Sequence, residues 1–263
     1  MTITPGHAVT LLENSKGNRN VSQNKVDEYA LDMTEGRWHY NPIGSAIAID
    51  TDGNVINGQH RLWACVQSGI PLDCDVVFGA DPALMDVTDI GMPRSSANIL
   101  QIAGAASGGK CAAAAALVLI HERYGIEHMN SAAAPTKPMI VNRVLNDPLI
   151  LASVRACDYS GTGKIVNNRV GIFCHYVFAK QNIVLANRFF KELASGVGLA
   201  ENSPAYRLRE ALVGNVTSKA KAPIIHVIAL FFRAWVAYKA GKIVKSIPTW
   251  RPNGLKAEAF PVI

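Results

Sequence analysis

Residues 52–64 read DGNVINGQHRLWA, and this stretch decides the fold of the first part of the chain. Asp52-Gly53 is a pair that favours a two-residue β-hairpin turn, so the apolar runs on either side, 46–50 and 55–56, are predicted to pair as strands. Gly58 permits a second sharp turn, and the residues after it are spaced as in a helix. The stretch therefore predicts strand, hairpin, strand, tight turn and helix in close succession.

The second turn has the chemistry of a phosphate site and consists of Asn57, Gly58, Gln59, His60 and Arg61. The first amides of a helix have no partner within the helix, and the helix dipole favours an anion there. His60 and Arg61 add side-chain donors at the same end, and a guanidinium can bind two phosphate oxygens at once. A structural alternative stays open, in which Arg61 pairs with a surface acid and His60 caps the helix.

The same residues resemble those of a known superfamily. Residues 52–64 are similar to the nucleotide-binding segment of the ParB/sulfiredoxin superfamily, especially to the Gly-Gln-His-Arg form common in phage-encoded ParB-like proteins. The helix predicted over 22–35, followed by Gly-Arg-Trp at 36–38, resembles the leading helix of that family, and 89–95 resembles its later phosphate-side loop. The resemblance covers residues 20–100 and implies a small α/β domain with nucleotide phosphates on the glycine turn.

The resemblance also implies site residues and cofactors. It implies nucleotide or phosphate contacts for seven residues, Asn57, Gly58, Gln59, His60, Arg61, Arg94 and Ser95. It makes Asp89 the best candidate to hold Mg²⁺ or to orient a nucleophile, although a loop or capping role fits Asp89 equally well. Where this chain has Gln59, sulfiredoxins have a nucleophilic cysteine and many ParB proteins a glutamate; glutamine is neither a base nor a charged ligand. The implied ligands are a nucleoside triphosphate and Mg²⁺, with catalysis left open.

A change of composition near Gly104 predicts a domain boundary. The segment 104–109, Gly-Ala-Ala-Ser-Gly-Gly, is small and predicts a flexible linker. The predicted class is α+β, with a ParB/sulfiredoxin-like domain over 1–103 and an all-helical domain over 104–263. Helices are predicted over 111–124, 138–145, 169–180, 183–195, 204–213 and 222–240. The Asn-, Gly- and Ser-rich residues 1–20 predict a loosely packed arm.

The linker and the two residues after it, Lys110 and Cys111, nearly match a Walker phosphate loop. A Walker loop follows a buried strand and ends in a serine or threonine whose hydroxyl binds Mg²⁺. The segment before Gly104 is predicted as helix, and Cys111 replaces the hydroxyl residue. We therefore do not expect Lys110 to bind phosphate.

Composition narrows the classes of function. The chain has 263 residues, is 49% apolar and carries a net charge of +6, which is typical of a globular protein that favours anionic partners. Five cysteines without a Cys-x-x-Cys pair disfavour a zinc ribbon or a disulfide scaffold and favour reduced thiols in the cytoplasm, the host's if the chain is phage-encoded. The apolar run 224–236 is too short to cross a membrane and predicts a core helix.

Together these observations predict a phage-type ParB-like protein that binds a nucleotide, coupled to DNA or to a DNA-processing partner. Hydrolysis of the nucleotide or transfer of its phosphate is left open. DNA binding is expected to be weak and independent of sequence, because the basic residues of the helical half are scattered, and an ordinary solvated surface is the other interpretation. They are Lys164, Arg169, Arg188, Arg207, Arg209, Lys219 and Lys221. Three alternatives remain: a nucleic-acid-binding module and a nuclease that use the same turn, and a protein-interaction factor that captures a host protein.

Overall fold

The chain consists of two compact units, Met1–Pro93 and Arg94–Ile263. The structure, a computed structural model, describes residues 1–15, 21–41, 46–81, 95–130, 134–217, 222–254 and 256–263. The described part of the first unit contains both strands and helices, and that of the second unit contains helices and no strand. The predicted α+β class is therefore confirmed.

A three-stranded sheet forms the centre of the first unit. Strand β2 (Ile47–Asp50) lies in the middle, antiparallel to β3 (Val55–Asn57) and parallel to β5 (Val76–Ala80). A second, two-stranded sheet pairs β1 (Thr2–Ile3) with β4 (Leu72–Asp73) in antiparallel register. The hairpin predicted from the deciding stretch is confirmed.

The Asp50 carboxylate organises the hairpin turn between β2 and β3. One carboxylate oxygen accepts hydrogen bonds from the amides of Asp52 at 2.9 Å and Asn54 at 2.8 Å. The other oxygen accepts from the Asn54 side chain at 3.0 Å. These hydrogen bonds, above all the one from the Asn54 side chain, hold the pKa of Asp50 below its usual value. Asp50 therefore acts as a turn residue.

Three helices pack against the core of the first unit: α1 (Pro5–Glu13), α2 (Gln23–Thr34) and α3 (Gln59–Ser68). Helix α3 begins after Gly58 and ends at Gly69, which has the left-handed conformation expected of a glycine stop signal. The core is aliphatic, and its largest buried side chains include Ile47, Ile49, Val55, Leu62 and Leu72. The helices predicted on either side of the hairpin are thus confirmed.

The prediction of a loosely packed arm at the start of the chain is wrong for residues 1–15. Thr2–Ile3 pairs with β4, and Ile3 and Ala8 are buried. The Thr4 hydroxyl accepts a hydrogen bond from the His7 amide at 3.3 Å and so caps α1. The Asn-, Gly- and Ser-rich composition comes from residues 14–20, after the helix, and it concealed a Thr-Pro helix start.

The described residues of the second unit form seven α-helices and two short 3₁₀ turns. The helices are α4 (Ser96–Ile102), α5 (Gly108–Tyr124), α6 (Lys137–Asn146), α7 (Pro148–Ser160), α8 (Asn168–Ser195), α9 (Pro204–Thr217) and α10 (Ile224–Lys239). The 3₁₀ turns are Ile126–His128 and Thr162–Lys164. All six helices predicted beyond Gly104 are confirmed; 169–180 and 183–195 form one long helix with a non-helical residue, Asn182, between them. Helix α7 was not predicted.

Aromatic side chains fill the core of the second unit. The Trp235 ring is fully buried and stacks on Phe178 with centroids 4.5 Å apart, and Phe189 meets it edge-on at 5.6 Å. Most of α10 is buried, which confirms the core helix predicted there. Of the helices that the structure describes, none is long and apolar enough to span a membrane.

The boundary between the units lies ten residues before the predicted one at 103/104. Helix α4 belongs to the second unit, because Leu100 is fully buried in its aromatic core. The predicted linker is also ordered: α5 begins within it, at Gly108. A Cβ atom on Gly108 would lie 2.8 Å from the Ala97 carbonyl oxygen, so this glycine lets α4 and α5 approach closely.

Candidate functional site

The glycine turn before α3 has the backbone conformation that the sequence predicts. Gly58 has φ +103° and ψ 6°, a left-handed conformation that favours glycine. A Cβ atom at this position would lie 2.2 Å from the Ile47 Cδ1 atom and 3.2 Å from an Arg61 Nη2 atom. Strand β2 and the first turn of α3 therefore meet at Gly58 with no space for a side chain.

The Ala46 carbonyl holds this turn in place. It accepts a hydrogen bond from the Asn57 side-chain amide at 3.2 Å and another from Arg61 Nη2 at 3.2 Å. The Arg61 side chain is only 9% exposed. Arg61 therefore braces the turn at the start of β2. A direct phosphate contact by Arg61 stays a prediction.

His60 connects the amino ends of two helices. Its Nε2 atom accepts a hydrogen bond from the Ser22 amide at 3.0 Å, and Ser22 is the residue immediately before α2. The neutral ring therefore carries its proton on Nδ1. His60 is the second residue of α3, so the positive ends of the α2 and α3 dipoles lie within one side-chain length of each other. This arrangement favours an anion near His60.

The first amides of α3 have no side-chain cap. Gly58 occupies the cap position and has no side chain, whereas Thr4, Ser95 and Thr136 each cap a helix with a hydroxyl. The helical ladder begins with Arg61 and Leu62, whose amides both donate to the Gly58 carbonyl at 2.9 and 3.1 Å. Residues 57–60 are partly accessible to solvent. A ligand can therefore reach the amides that precede the ladder.

Of the remaining predicted site residues, only Ser95 is among those that the structure describes. The Ser95 hydroxyl accepts from the Asn98 amide at 3.2 Å and caps α4 in the second unit. Asp89 and Arg94 lie outside the described residues, as does the predicted phosphate-side loop around them. Within the described ranges, no group of three or more His, Cys, Asp or Glu side chains is placed to hold a metal ion. The Mg²⁺ site therefore remains a prediction.

The near-Walker segment does not have the surroundings of a phosphate loop. The element before it is helix α4 rather than a strand. Lys110 makes an ion pair with Asp158 at 2.5 Å. The expectation that this lysine does not bind phosphate is consistent with both observations.

Several of the scattered basic residues have structural partners. Arg209 donates to the carbonyls of Leu193 and Ala194 at 2.9 and 2.6 Å and so caps the end of α8. Arg207 pairs with Glu210 at 2.7 Å, and Arg188 pairs with Glu192 at 2.8 Å. Lys219 and Lys221 lie outside the described residues. These contacts favour an ordinary solvated surface over one continuous DNA-binding face.

The second unit has a cleft of about 680 Å³ between α7 and α8, which was not predicted either. Its lining residues are Ala152, Arg155, Ala156, Tyr159 and Ser160 on α7, and His175, Ile183, Asn187, Arg188 and Lys191 on α8. No signal for the cleft was recognised in the sequence, because α7 itself was missed. The spacing of the α7 residues, at positions 152, 155, 156 and 159, is nevertheless that of one helix face.

His175 is a buried histidine of the second unit. The Ser153 hydroxyl lies 3.0 Å from its Nδ1 atom, and its Nε2 donates to the Asn187 side-chain oxygen at 2.9 Å. Burial lowers the pKa of His175, which favours the neutral ring. The five cysteines are free, as the sequence predicts, and all five are buried.

Comparison with known proteins finds no match to a family model, to a curated protein or to a solved structure. The ParB/sulfiredoxin resemblance therefore depends only on the motif residues within 20–100.

Proposed function

We propose that the chain is a nucleotide-binding protein of ParB-like type, which receives the phosphates of a nucleoside triphosphate at the amino end of α3. The observation that carries the proposal is the turn at Gly58. It is held by Ile47 and by the Ala46 carbonyl, it leaves the helix without a side-chain cap, and it is accessible to solvent. An uncapped helix start on a braced glycine turn is a common way to bind phosphate.

The electrostatics of the turn support an anionic ligand. The amino ends of α2 and α3 are joined by the Ser22–His60 hydrogen bond, so two helix dipoles add at this position. Each dipole stabilises a nearby negative charge by roughly 0.3–1 kcal/mol. The carboxylate nearest in sequence on β2, Asp50, is directed to the hairpin turn by three donors and does not compete for the α3 amides.

Each residue of the turn has a separate role in this proposal. Gly58 gives the shape, Asn57 and Arg61 brace it from behind, and the backbone amides of Gln59 and His60 meet the phosphate. Gln59 supplies no base, so we propose binding with little or no hydrolysis by this turn alone. Coupling of the bound nucleotide to DNA or to a DNA-processing partner remains part of the proposal.

Isothermal titration calorimetry on the full chain tests the proposal. ATP, CTP, GTP and UTP are titrated with and without Mg²⁺, and inorganic tripolyphosphate is titrated separately to distinguish phosphate binding from base recognition. We expect binding of at least one triphosphate and competition by tripolyphosphate. Absence of binding by all four nucleotides in both conditions would contradict the proposal.

Two variants on the same helix locate the site. His60→Ala removes the ring that links the two helix ends and is expected to weaken binding about fivefold, the equivalent of one hydrogen bond. Trp63→Ala is the matched control, since Trp63 is 40% exposed and lies one turn further along α3. Equal affinities of the two variants would place the nucleotide elsewhere.

A nucleic-acid-binding role for the same turn is the second candidate, since backbone phosphates offer the same oxygens. A duplex or single strand without a terminal triphosphate would then compete with the nucleotide, and His60→Ala would weaken both. Competition only by triphosphates favours the first proposal.

A further inference from the structure

We propose that the cleft between α7 and the second half of α8 binds single-stranded nucleic acid, with a base on the Tyr159 ring and phosphates on Arg155 and Lys191. The cleft lies entirely within the second unit. The inference is therefore independent of the nucleotide site at Gly58, and either one can fail alone.

The two helices supply different parts of the cleft. On α7, Arg155 and Tyr159 are separated by four residues, so they lie one helical turn apart on the same face. On α8, Ile183 and Lys191 lie beyond the non-helical residue Asn182 and form the facing side. Tyr159 is 88% exposed and Ile183 is 45% exposed. Large apolar surfaces are thus presented to solvent within a cleft, as in a binding site.

The cleft has unneutralised positive charge. Arg155 and Lys191, one on each helix, make no hydrogen bond or ion pair with the parts of the chain that the structure describes. The third cation, Arg188, is paired with Glu192, and the acidic neighbour of Tyr159 in sequence, Asp158, is paired with Lys110. The two unpaired cations therefore favour an anionic occupant.

The floor of the cleft is apolar and has no charge. Ala152 and Ala156 are small, so they leave space between the helices. His175 is buried, and both of its ring nitrogens have partners in Ser153 and Asn187. A floor of this kind suits a planar aromatic group better than a solvated ion. The occupant therefore combines a flat apolar part with negative charge, as a nucleotide unit does.

A single strand fits this combination better than a duplex or a free nucleotide. Bases in a duplex are stacked on both faces, so they cannot lie against Tyr159 or the apolar floor. The two unpaired cations stand on different helices, so a strand that carries several phosphates can contact both, whereas a nucleoside monophosphate has only one phosphate to offer. A basic groove with an exposed aromatic ring is the common design of proteins that bind single strands without sequence preference.

Fluorescence anisotropy with a labelled twelve-nucleotide oligothymidylate and the full chain tests the role of Tyr159. Tyr159→Ala is expected to weaken binding roughly tenfold, the usual effect of losing one stacking ring, and Tyr159→Phe is expected to bind like the parent. Tyr124→Ala, at an exposed tyrosine on α5, is the matched control and is expected to have no effect. Circular dichroism confirms that each variant is folded.

A salt series tests the two cations. The double variant Arg155→Gln, Lys191→Gln is expected to reduce the slope of log affinity against log salt by about 1.4, because each phosphate contact to a single strand contributes about 0.7. The double variant Lys242→Gln, Lys245→Gln makes the same change of net charge at exposed residues that do not line the cleft, and should leave the slope unchanged.

Four results would overturn the inference. The first two are no binding of the oligothymidylate even at low salt, and equal affinities of Tyr159→Ala and the parent. The third is equal or tighter binding of a duplex of the same length. The fourth is competition by thymidine monophosphate at the same concentration as the strand. The last result would mean that the cleft takes small anions only. Loss of triphosphate binding by His60→Ala has no bearing on any of them.

Discussion

The cores of the two units are built from different side chains. The buried core of the first unit is aliphatic, with Tyr29 and Trp38 only at its margin. The core of the second unit contains seven buried Phe and Trp side chains on α8 and α10: Phe173, Phe178, Phe189, Phe190, Phe231, Phe232 and Trp235. Aromatic side chains bury more area each and interlock by ring geometry. The second unit therefore depends on packing for its shape.

The first unit depends more on specific polar contacts with its backbone. The Ala46 carbonyl and the Asp50 carboxylate hold the turns at either end of β3, and Gly58 lets β2 and α3 meet. The candidate phosphate site is at one of these turns. We therefore expect substitution of residues that contact the backbone at these turns to lower the stability of the first unit and its affinity for the ligand. Loss of an aromatic ring should instead lower the stability of the second unit.

The largest expected effect is the loss of the central ring of the second unit. Trp235→Ala should lower the free energy of unfolding by about 3–5 kcal/mol, because it removes the stack on Phe178 and the hydrogen bond from the indole to Gln181. Urea denaturation followed by circular dichroism measures the change. Trp63→Ala, at a half-exposed ring of the first unit, should change stability by no more than about 0.5 kcal/mol. Similar losses in both variants would remove the contrast between the two units.

The second prediction concerns the glycine of the candidate site. Gly58→Ala should destabilise the first unit by about 3 kcal/mol, because the left-handed backbone and the collision with Ile47 act together. Gly53→Ala is the control: its φ is +86° but nothing lies within 4 Å of its Cβ position, so about 1 kcal/mol of strain is expected. Hydrogen exchange of α3 amides measures both. A Gly58 variant no worse than the Gly53 variant would contradict the close approach of β2 and α3.

A smaller effect, with opposite signs at neighbouring positions, is expected where α4 meets α5. Gly108→Ala should destabilise the second unit by about 1–2 kcal/mol, because its Cβ would press on the Ala97 carbonyl. Gly109→Ala should stabilise it by about 0.5 kcal/mol, since its Cβ would make only an ordinary contact at 3.9 Å. Thermal melts of the two variants decide the sign. If Gly108→Ala stabilised the second unit, close packing of α4 and α5 at this glycine would be contradicted, and the flexible linker predicted from the sequence would be favoured.

The smallest effect is a pH dependence of the second unit. Burial lowers the pKa of His175 from the 6.5 of an unfolded chain, so the unfolded state takes up a proton first as the pH falls. Stability from this residue is complete above pH 6.5 and is lost as the pH falls from there through the folded pKa. His175→Gln should therefore make stability less dependent on pH below 6.5. Burial lowers the pKa of His121 too, so some pH dependence should remain. If the free energy of unfolding of the variant and of the parent changed equally with pH, the assignment of this pH dependence to His175 would be contradicted.

Local signals in the sequence were enough to predict the elements around the candidate site. Asp52-Gly53 predicted the hairpin, and Gly58 predicted where α3 begins. These succeeded because a left-handed backbone position limits the choice of residue. The orientation of Arg61 was not predictable in this way, because its partner is the carbonyl of Ala46, which lies fifteen residues earlier and immediately before β2.

The errors have a common physical origin, in residues with two structural uses. Proline within a helix breaks it, but at the first position it favours the start of one, as Pro148 does for α7 with Asp147 as the cap. Gly108 and Gly109 were interpreted as flexible, but Gly108 lets two helices pack closely. The sequence alone cannot tell which of its two roles such a proline or glycine has, because the role depends on the helix that packs beside it. The cleft between α7 and α8 was missed for the same reason.

Chemical-shift perturbation of ¹⁵N-labelled amides by a nucleoside triphosphate tests the central claim most directly. We predict that the amides of Gly58, Gln59 and His60 all shift on titration with the triphosphate that calorimetry selects. The amide of Gly53, a left-handed glycine in the turn between β2 and β3, should not shift. Saturating shifts at the Gly58 turn would support phosphate at the amino end of α3. Binding that leaves these three amides unmoved and shifts residues of another surface would contradict the account.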